Sequence, residues 1–404
     1  METEIENNLI KKSLSIGILA DYINPTRGGH ARNVYYLAKA MERKGHKITV
    51  FCLDDPMNRE MDLNMVFVKS IRKPFLQYLS ASISATKLAK KCENEFDAFF
   101  SSSSFGFPYA WVRRKPLLVR IPNTNPRPFG GAAFRKSLWN LRVTGNVYIK
   151  ILVMMFVKTL TLNKADIVVC NTMETQRAVQ KYHFVPVRKL RILHSGCDIN
   201  FFQSGTGQKI REKYGLNNRK IIVSVFRLGP AKWPDVLIDT MEFVCKERDD
   251  IVLMMVGGGV LEDSLRSMIK SRGLSGNIIL TGHIPHQELP DYYAVGDIFV
   301  DLTPPGVTLA EAMAAGKTFI LHCPTHLVHA GSPIEMIEKR EIGVILRGGT
   351  IEEFAREIMR TVDNNSWLIT QGEKAQQFVK EELDWNSLAD LTTGYFNEAI
   401  ESHK

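Results

Sequence analysis

The sequence predicts an α/β fold of two domains, each wound around a parallel sheet, and three observations lead to this prediction. The chain has 404 residues, 45% hydrophobic and 24% charged, which is an ordinary globular composition too long for one compact core. Residues 14–53 have the pattern of a strand, a loop, a helix and a second strand, which is the crossover unit of a parallel sheet. A second series of the same kind begins at Lys220.

The first series supplies the elements of the N-terminal domain. The apolar run 14–20 predicts a strand, and apolar residues at helical spacing then predict a helix that ends before Gly45. Further strands are predicted at 47–53, 96–100, 116–120 and 166–170. The tract 122–131 is rich in Pro, Asn and Gly and predicts a loop beyond a strand end.

The second series repeats this architecture, with strands predicted at 220–225, 251–256, 277–280, 298–302 and 318–321. We expect a flexible tail at 1–12, an N-terminal domain at 13–203, a C-terminal domain at 204–380, and a helix at 381–404 that packs back towards the N-terminal domain. Ligands of open α/β sheets bind outside the carboxyl ends of the strands. A cleft between two such domains is therefore the expected site.

Composition excludes collagen, a disulfide-dense mini-protein and a disordered chain. The longest strictly apolar run is 151–157, whereas a membrane-spanning helix needs about 20 such residues. The acidic start lacks the basic and apolar regions of a secretory signal, and the six scattered cysteines suggest reduced thiols in a cytoplasm. We predict no metal site, because Pro324 interrupts the helix on which His322, His326 and His329 could share a face.

Two basic residues lie on the loop after the strand 220–225. Arg227 and Lys232 precede Pro234, which suits the first position of a helix. A helix N-terminus favours an anion by roughly 0.3–2 kcal/mol, and a charge-assisted hydrogen bond adds about 1.5–3 kcal/mol. Two cations and a helix dipole suit a diphosphate, and two solvated surface cations are the alternative.

A second polar loop follows the strand 298–302. Thr308 is predicted to cap a short helix whose first turn contains Glu311, while Gly306 allows a ligand to approach the backbone. A carboxylate can accept two hydroxyl hydrogen bonds, as a ribose diol offers. The alternative is that Glu311 is only the capping-box partner of Thr308.

These motifs resemble the retaining nucleotide-sugar glycosyltransferases of the GT-B fold, glycosyltransferase family 4. The resemblance covers nearly the whole chain, and it rests on six short motifs in the family's order: Gly28-Gly29-His30, the segment 195–201 beginning Ser195-Gly196-Cys197-Asp198, the pair Arg227 and Lys232, Val256-Gly257-Gly258-Gly259, Thr281-Gly282-His283-Ile284-Pro285, and the segment 303–316. It implies two Rossmann-like domains that face each other across a cleft.

The resemblance also implies roles for individual residues. Arg227 and Lys232 would grip the diphosphate of a UDP- or GDP-sugar, and Glu311 would bind its ribose. The other donor-binding positions implied are Gly28, Gly29, Gly257, His283, Ile284, Thr303, Gly306, Val307 and Thr308. Transfer would retain the anomeric configuration, without a metal, a cofactor or a dedicated base.

Two positions depart from the family's pattern. Thr303 stands where the family usually has a glutamate near the donor sugar, and Pro122 stands where it often has a histidine. The acceptor side would then be supplied by Asn123, Thr124 and Arg127. Thr303 keeps open the alternative of a nucleotide-sugar-binding protein without activity. A nucleotide-sugar epimerase of related fold is a third possibility.

Basic residues are concentrated in one region of the chain. No acidic residue occurs between Asp97 and Asp166, whereas eleven lysine and arginine residues lie at 113–164, interleaved with aromatic ones. This pattern predicts contact with an anionic membrane surface, in a cytoplasmic protein peripheral to the membrane. Because this half resembles the family's acceptor-side domain, the resemblance implies a lipid-linked or glycan acceptor. A solvated basic face is one alternative. Nonspecific binding of nucleic acid is the other, since the charge would suffice for it although no binding motif is present.

Overall fold

The computed structural model describes residues 13–25, 29–71, 74–121, 145–302, 306–323 and 334–403. The predicted tail 1–12 and the whole of the predicted loop 122–131 lie outside these ranges. The chain forms two compact units, one from Met1–Ser195 with Trp385–Lys404 and the other from Gly196–Asp384. Each unit contains a parallel sheet covered by helices, so the prediction of two Rossmann-like α/β halves is confirmed.

The first unit contains seven strands among its described residues. They are β1 Ser15–Ala20, β2 Lys47–Leu53, β3 Asn64–Val68, β4 Ala98–Ser102, β5 Leu117–Ile121, β6 Ile167–Cys170 and β7 Leu190–Ile192. Its helices are α1 Gly29–Arg43, α2 Pro56–Arg59, α3 Pro74–Lys91, α4 Phe107–Val112, α5 Gly145–Lys164, α6 Met173–His183 and, at the end of the chain, α16 Trp385–His403. The strand order is β3-β2-β1-β4-β5-β6-β7, and every neighbouring pair is parallel.

The described part of the second unit has six strands, β8 Lys220–Val225, β9 Ile251–Val256, β10 Ile278–Leu280, β11 Ile298–Asp301, β12 Phe319–Cys323 and β13 Val344–Arg347. Its helices are α7 Ile199–Gln203, α8 Gln208–Tyr214, α9 Pro234–Glu247, α10 Glu262–Ser271, α11 Leu289–Ala294, α12 Val307–Ala314, α13 Ile334–Lys339, α14 Ile351–Val362 and α15 Asn365–Phe378. The order β10-β9-β8-β11-β12-β13 is again parallel throughout.

Short 3-10 helices connect several of these elements, at Glu93–Glu95, Ser103–Gly106, Val187–Lys189, Pro230–Lys232 and His286–Glu288, and a π-helix occupies Val379–Leu383.

Both sheets are buried on two faces, which explains why their central strands are continuous apolar runs. All six residues of β9 are buried, and neighbouring residues of β8 enter different core clusters, with Val223 on one face and Ile222 on the other. Among the described helices, none is long and apolar enough to cross a membrane.

The predicted strands 47–53, 220–225 and 251–256 match β2, β8 and β9 exactly, and the other predicted strands fall within two residues of the observed ones. The prediction missed β3, β7 and β13, all of which lie at a sheet edge. Edge strands are covered on fewer sides, and most residues of these three are only half-buried. They therefore lack the continuous apolar run by which the central strands were recognised.

The strand order reverses once in each sheet, between β1 and β4 in the first unit and between β8 and β11 in the second. At such a switch point the loops after the two strands run in opposite directions. This leaves room outside their carboxyl ends, where open α/β sheets bind their ligands.

Candidate functional site

The first of the two polar loops predicted from the sequence lies at the switch point of the second sheet. Lys232 lies on the loop after β8, and its Nζ is 3.9 Å from Oδ2 of Asp301, the last residue of β11. The side chain of Asp301 is 1% exposed and that of Lys232 is 31% exposed. The structure thus places the lysine ammonium over the carboxyl end of the neighbouring strand, while Arg227 on the same loop is exposed.

Local backbone conformation sets the position of Lys232. The residue closes the 3-10 helix Pro230–Lys232, and α9 begins at Pro234, as predicted. Between them, Trp233 is left-handed, with φ 47° and ψ 52°. This conformation costs a residue with a side chain roughly 1–2 kcal/mol, and packing of the half-buried indole against the core of this unit holds it in place.

The glycine run after β9 supports the loop that carries Arg227. A Cβ atom on Gly257 would lie 2.2 Å from the carbonyl oxygen of Phe226, and one on Gly259 would lie 2.2 Å from that of Leu228. The amide of Leu228 donates to the carbonyl of Gly258 over 3.1 Å. A side chain at either position would displace the loop. Packing against the loop therefore explains why glycine is required at these positions, whether or not a ligand binds.

The loop after β10 joins the same edge through a bridge between Gly257 and Gly282. His283 follows this bridge and is exposed, whereas Ile284 is half-buried against the core. The loops after β10, β9 and β8 and the end of β11 therefore lie side by side along one edge of the sheet.

Glu311 lies in α12 and is held by a tyrosine. Its side chain is buried, and Oε2 accepts a hydrogen bond of 2.8 Å from the hydroxyl of Tyr293 on α11. The prediction that Thr308 caps this helix is wrong, because the helix begins at Val307 and its N-cap is Gly306, with no side-chain cap bond. Glu311 is therefore not a capping-box partner, and its carboxylate is oriented by tertiary contact.

Sequence reasoning missed Asp301 and Tyr293. Asp301 carried a signal that could have been used, since it is a carboxylate ending an otherwise apolar strand at the expected ligand edge. Tyr293 carried none, since it lies 18 residues from Glu311 and looks like an ordinary core aromatic. Thr303, also predicted at this site, lies outside the described residues.

Of the site residues predicted in the first unit, Gly29 is the one that the structure describes. It is exposed and begins α1. The next residue, His30, has its Nε2 2.5 Å from Oγ of Ser102, the last residue of β4. These residues lie at the β1–β4 switch point. The other predicted residues here, Gly28, Asn123, Thr124 and Arg127, lie outside the described ranges.

The described part of the basic region 113–164 is less cationic at its surface than the sequence suggested. Arg120 is 1% exposed, and Arg113 is paired with Asp166 at 2.6 Å. Arg114 and Lys164 are exposed, and Nζ of Lys164 lies 4.8 Å from the ring centre of the exposed Trp111.

The described residues contain no group of three or more His, Cys, Asp or Glu side chains able to hold a metal ion. His322 lies on β12, where Nε2 is 3.0 Å from the carbonyl oxygen of Gly348. His326 and His329, considered with it for zinc, lie outside the described ranges.

Two family models match the chain. The model described as Glycosyltransferase Family 4 matches residues 27–201, and the model described as Glycosyl transferases group 1 matches residues 206–383.

The chain is also similar to curated proteins. It is 24% identical over 218 residues to the GDP-mannose-dependent alpha-(1-6)-phosphatidylinositol monomannoside mannosyltransferase of Mycobacterium tuberculosis, a match covering 51% of this chain and 55% of the relative. The chain thus spans about half the length of that relative. It is 23% identical to the alpha-monoglucosyldiacylglycerol synthase of Streptococcus pneumoniae, over 76% of this chain and 71% of that protein.

Among solved structures, Anabaena HepE in complex with UDP-glucose superposes with a TM-score of 0.70 at 18% identity, over 96% of this chain and all of that chain. Likeness at this level of identity shows the shared fold.

Proposed function

Because the chain belongs to the GT-B glycosyltransferases of family 4 type, we propose that it is a retaining glycosyltransferase that moves a sugar from a UDP- or GDP-sugar to a lipid-linked or glycan acceptor. One observation carries the proposal. The ammonium of Lys232 lies over the end of β11 at the switch point, where a nucleoside diphosphate would find a cation beside the loop that leads to the buried Glu311.

In the proposed reaction, the bond between the anomeric carbon and the diphosphate oxygen breaks, and the acceptor hydroxyl oxygen bonds to the same face of that carbon. The hydroxyl proton passes to the leaving diphosphate, so no dedicated base is required. Arg227 and Lys232 would neutralise the charge that develops on the diphosphate, and preorganised charges of this kind supply several kcal/mol of transition-state stabilisation. Glu311, oriented by Tyr293, would accept the ribose hydroxyls.

Thermal-shift measurements against UDP- and GDP-sugars test donor binding, since a ligand at 100 times its dissociation constant stabilises the folded chain by about 2.7 kcal/mol. We expect Glu311→Gln to weaken donor binding and the exposed Glu373→Gln to leave it unchanged. Equal affinity of both variants would remove Glu311 from the site.

Incubation of the bound donor without an acceptor separates the alternatives. Slow release of nucleoside diphosphate supports a transferase, conversion of the sugar indicates an epimerase, and an intact donor after acceptors have also been supplied indicates a binding protein. The anomeric configuration of a transfer product, read by NMR, tests whether it is retained.

The lipid-linked acceptor is supported by the exposed aromatic and basic surface of the first unit and by the relatives' names, which mention phosphatidylinositol and diacylglycerol. Trp111 on α4 and Phe156 on α5 are both exposed, and Lys164 lies beside Trp111. A lysine or arginine near an anionic membrane contributes about 1 kcal/mol of binding, and aromatic rings favour the interface.

Sedimentation with phosphatidylglycerol vesicles tests this membrane surface. We expect Trp111→Ser and Phe156→Ser to reduce binding. The control Phe184→Ser, which removes a more exposed ring from the end of α6, should not. Equal sedimentation of all three variants would contradict the proposed surface.

A further inference from the structure

A buried arginine lies at the carboxyl edge of the first unit's sheet. Arg120 is on β5 and is 1% exposed. Its Nε and Nη2 donate to Oδ1 of Asn171 over 3.2 and 3.1 Å, and Nη2 also reaches the carbonyl oxygens of Leu193 and His194 at 3.4 and 3.2 Å. All these partners come from the ends of the neighbouring strands β6 and β7, so the guanidinium is fixed at the ligand edge of the sheet.

The charge of Arg120 is not balanced by a carboxylate within the described part of the chain. No ion pair found there includes Arg120, and its Nη1 is buried without a hydrogen-bond partner among the described residues. Burial lowers the pKa of Arg120 to about 10, which still leaves it charged at neutral pH. A buried cation without a counter-charge is costly, so a site of this kind gains from binding an anion.

The groups around Arg120 are polar and uncharged. Burial, and then the charge of Arg120, lowers the pKa of His30 to about 4, and the Nδ1 of His30 is also buried without a partner among the described residues. Burial is the main cause that lowers the pKa of His194. Asp21 follows β1, and burial raises the pKa of its carboxyl. It forms no ion pair with Arg120, so the described residues supply no carboxylate partner for the guanidinium.

We propose that the Arg120 cluster, defined as His30, Ser102, Arg120, Asn171 and His194, binds a phosphate or carboxylate group carried by the acceptor. A guanidinium suits both groups, because it presents planar pairs of N–H donors to two oxygens. His30 is half-buried and follows the exposed Gly29, so it is the member of the cluster next to an exposed residue of α1. The assignment of this anion to the acceptor rests on the proposed transferase function, whereas the binding itself does not.

Binding of glycerol 1-phosphate to the full chain, measured by calorimetry in saturating UDP, tests the cluster without competition from a donor diphosphate site. We expect the wild type to bind glycerol 1-phosphate and not glycerol. Arg120→Met should weaken binding at least tenfold, Arg120→Lys should recover part of it, and Arg114→Met should match the wild type, since Arg114 is an exposed arginine of the same segment.

Several outcomes would overturn the proposal: no binding by the wild type, equal binding by glycerol, or equal affinity in a folded Arg120→Met variant. If that variant does not fold, Arg120→Lys carries the test, and unchanged affinity there overturns the proposal. If neither UDP nor GDP binds, the proposed function fails, and the same titration without nucleotide still tests the cluster.

A second arm separates two sources of the anion. Phosphatidylcholine vesicles containing phosphatidic acid are compared with soluble glycerol 1-phosphate. A defect of Arg120→Met on the vesicles identifies a lipid headgroup, a defect with the soluble ester alone identifies a free phosphate, and no defect on either overturns the proposal.

Discussion

Replacing Lys232 by alanine tests the electrostatic basis of the proposed function. In the structure this ammonium lies 3.9 Å from the buried Asp301 carboxylate, at the edge where the diphosphate would leave. Removal takes away one cation and leaves the carboxylate facing the diphosphate. The substitution should therefore affect the transition state, in which the leaving group gains charge, more than the ground state.

The expected magnitude follows from the strength of one such contact. A hydrogen bond to a charged group contributes about 1.5–3 kcal/mol, and each factor of ten in rate corresponds to about 1.36 kcal/mol. Repulsion from Asp301 adds to the loss, so we place it towards the upper end of this range. Lys232→Ala should lower turnover at least about 100-fold, or about 2.7 kcal/mol.

The assay is release of nucleoside diphosphate from the donor identified by thermal shift, with kcat and KM determined separately. Lys270→Ala is the matched control, because Lys270 is an exposed lysine of the same unit, at the end of α10. Thermal unfolding of both variants shows whether the fold is kept. Turnover of a folded Lys232→Ala variant equal to that of the control would refute the assignment.

Three further predictions concern the glycine run, a helix end and pH. Gly259→Ala should weaken donor binding and lower the free energy of unfolding by about 1–3 kcal/mol, because the added Cβ would lie 2.2 Å from a carbonyl oxygen of the loop carrying Arg227. The control Gly276→Ala, which has open space around it, should change donor affinity little. Calorimetry and denaturation compare the two variants. Phe184→Gly should raise the free energy of unfolding by about 1 kcal/mol, because Phe184 ends α6 in a left-handed conformation that glycine adopts without steric cost. Its ring is 78% exposed, so little packing is lost. A lower denaturation midpoint would contradict this prediction. Burial, and then the charge of a nearby lysine, lowers the pKa of His183 to about 4 from an ordinary value of 6.5. As the pH falls, the unfolded chain takes up the proton first, so the free energy of unfolding should fall between pH 6.5 and 4. Denaturation across this range should show a shallower fall in His183→Gln, and an equal slope would exclude this histidine as a cause.

The sequence predicted best those elements whose pattern arises from burial on both sides. The central strands β8 and β9 are apolar throughout because helices cover both faces of the sheet, so composition alone located them exactly. The start of α9 was predicted because Pro234 suits a first helical position by its own geometry. By contrast, the start of α12 was placed two residues late, because either Gly306 or Thr308 could precede a helix and the path of the chain decides between them.

The α/β class, the two parallel sheets, the loop that carries Arg227 and Lys232 and the short helix that carries Glu311 could all be predicted from the sequence, because they depend on local pattern and on the order of motifs along the chain. Which charges meet became visible in the folded chain. The tertiary structure placed Lys232 beside Asp301, oriented Glu311 through Tyr293, and buried Arg120, which had been counted with the basic surface. These contacts could not be predicted because the burial and the charge partners of a side chain are set by neighbours distant in sequence, which no local pattern of residues records.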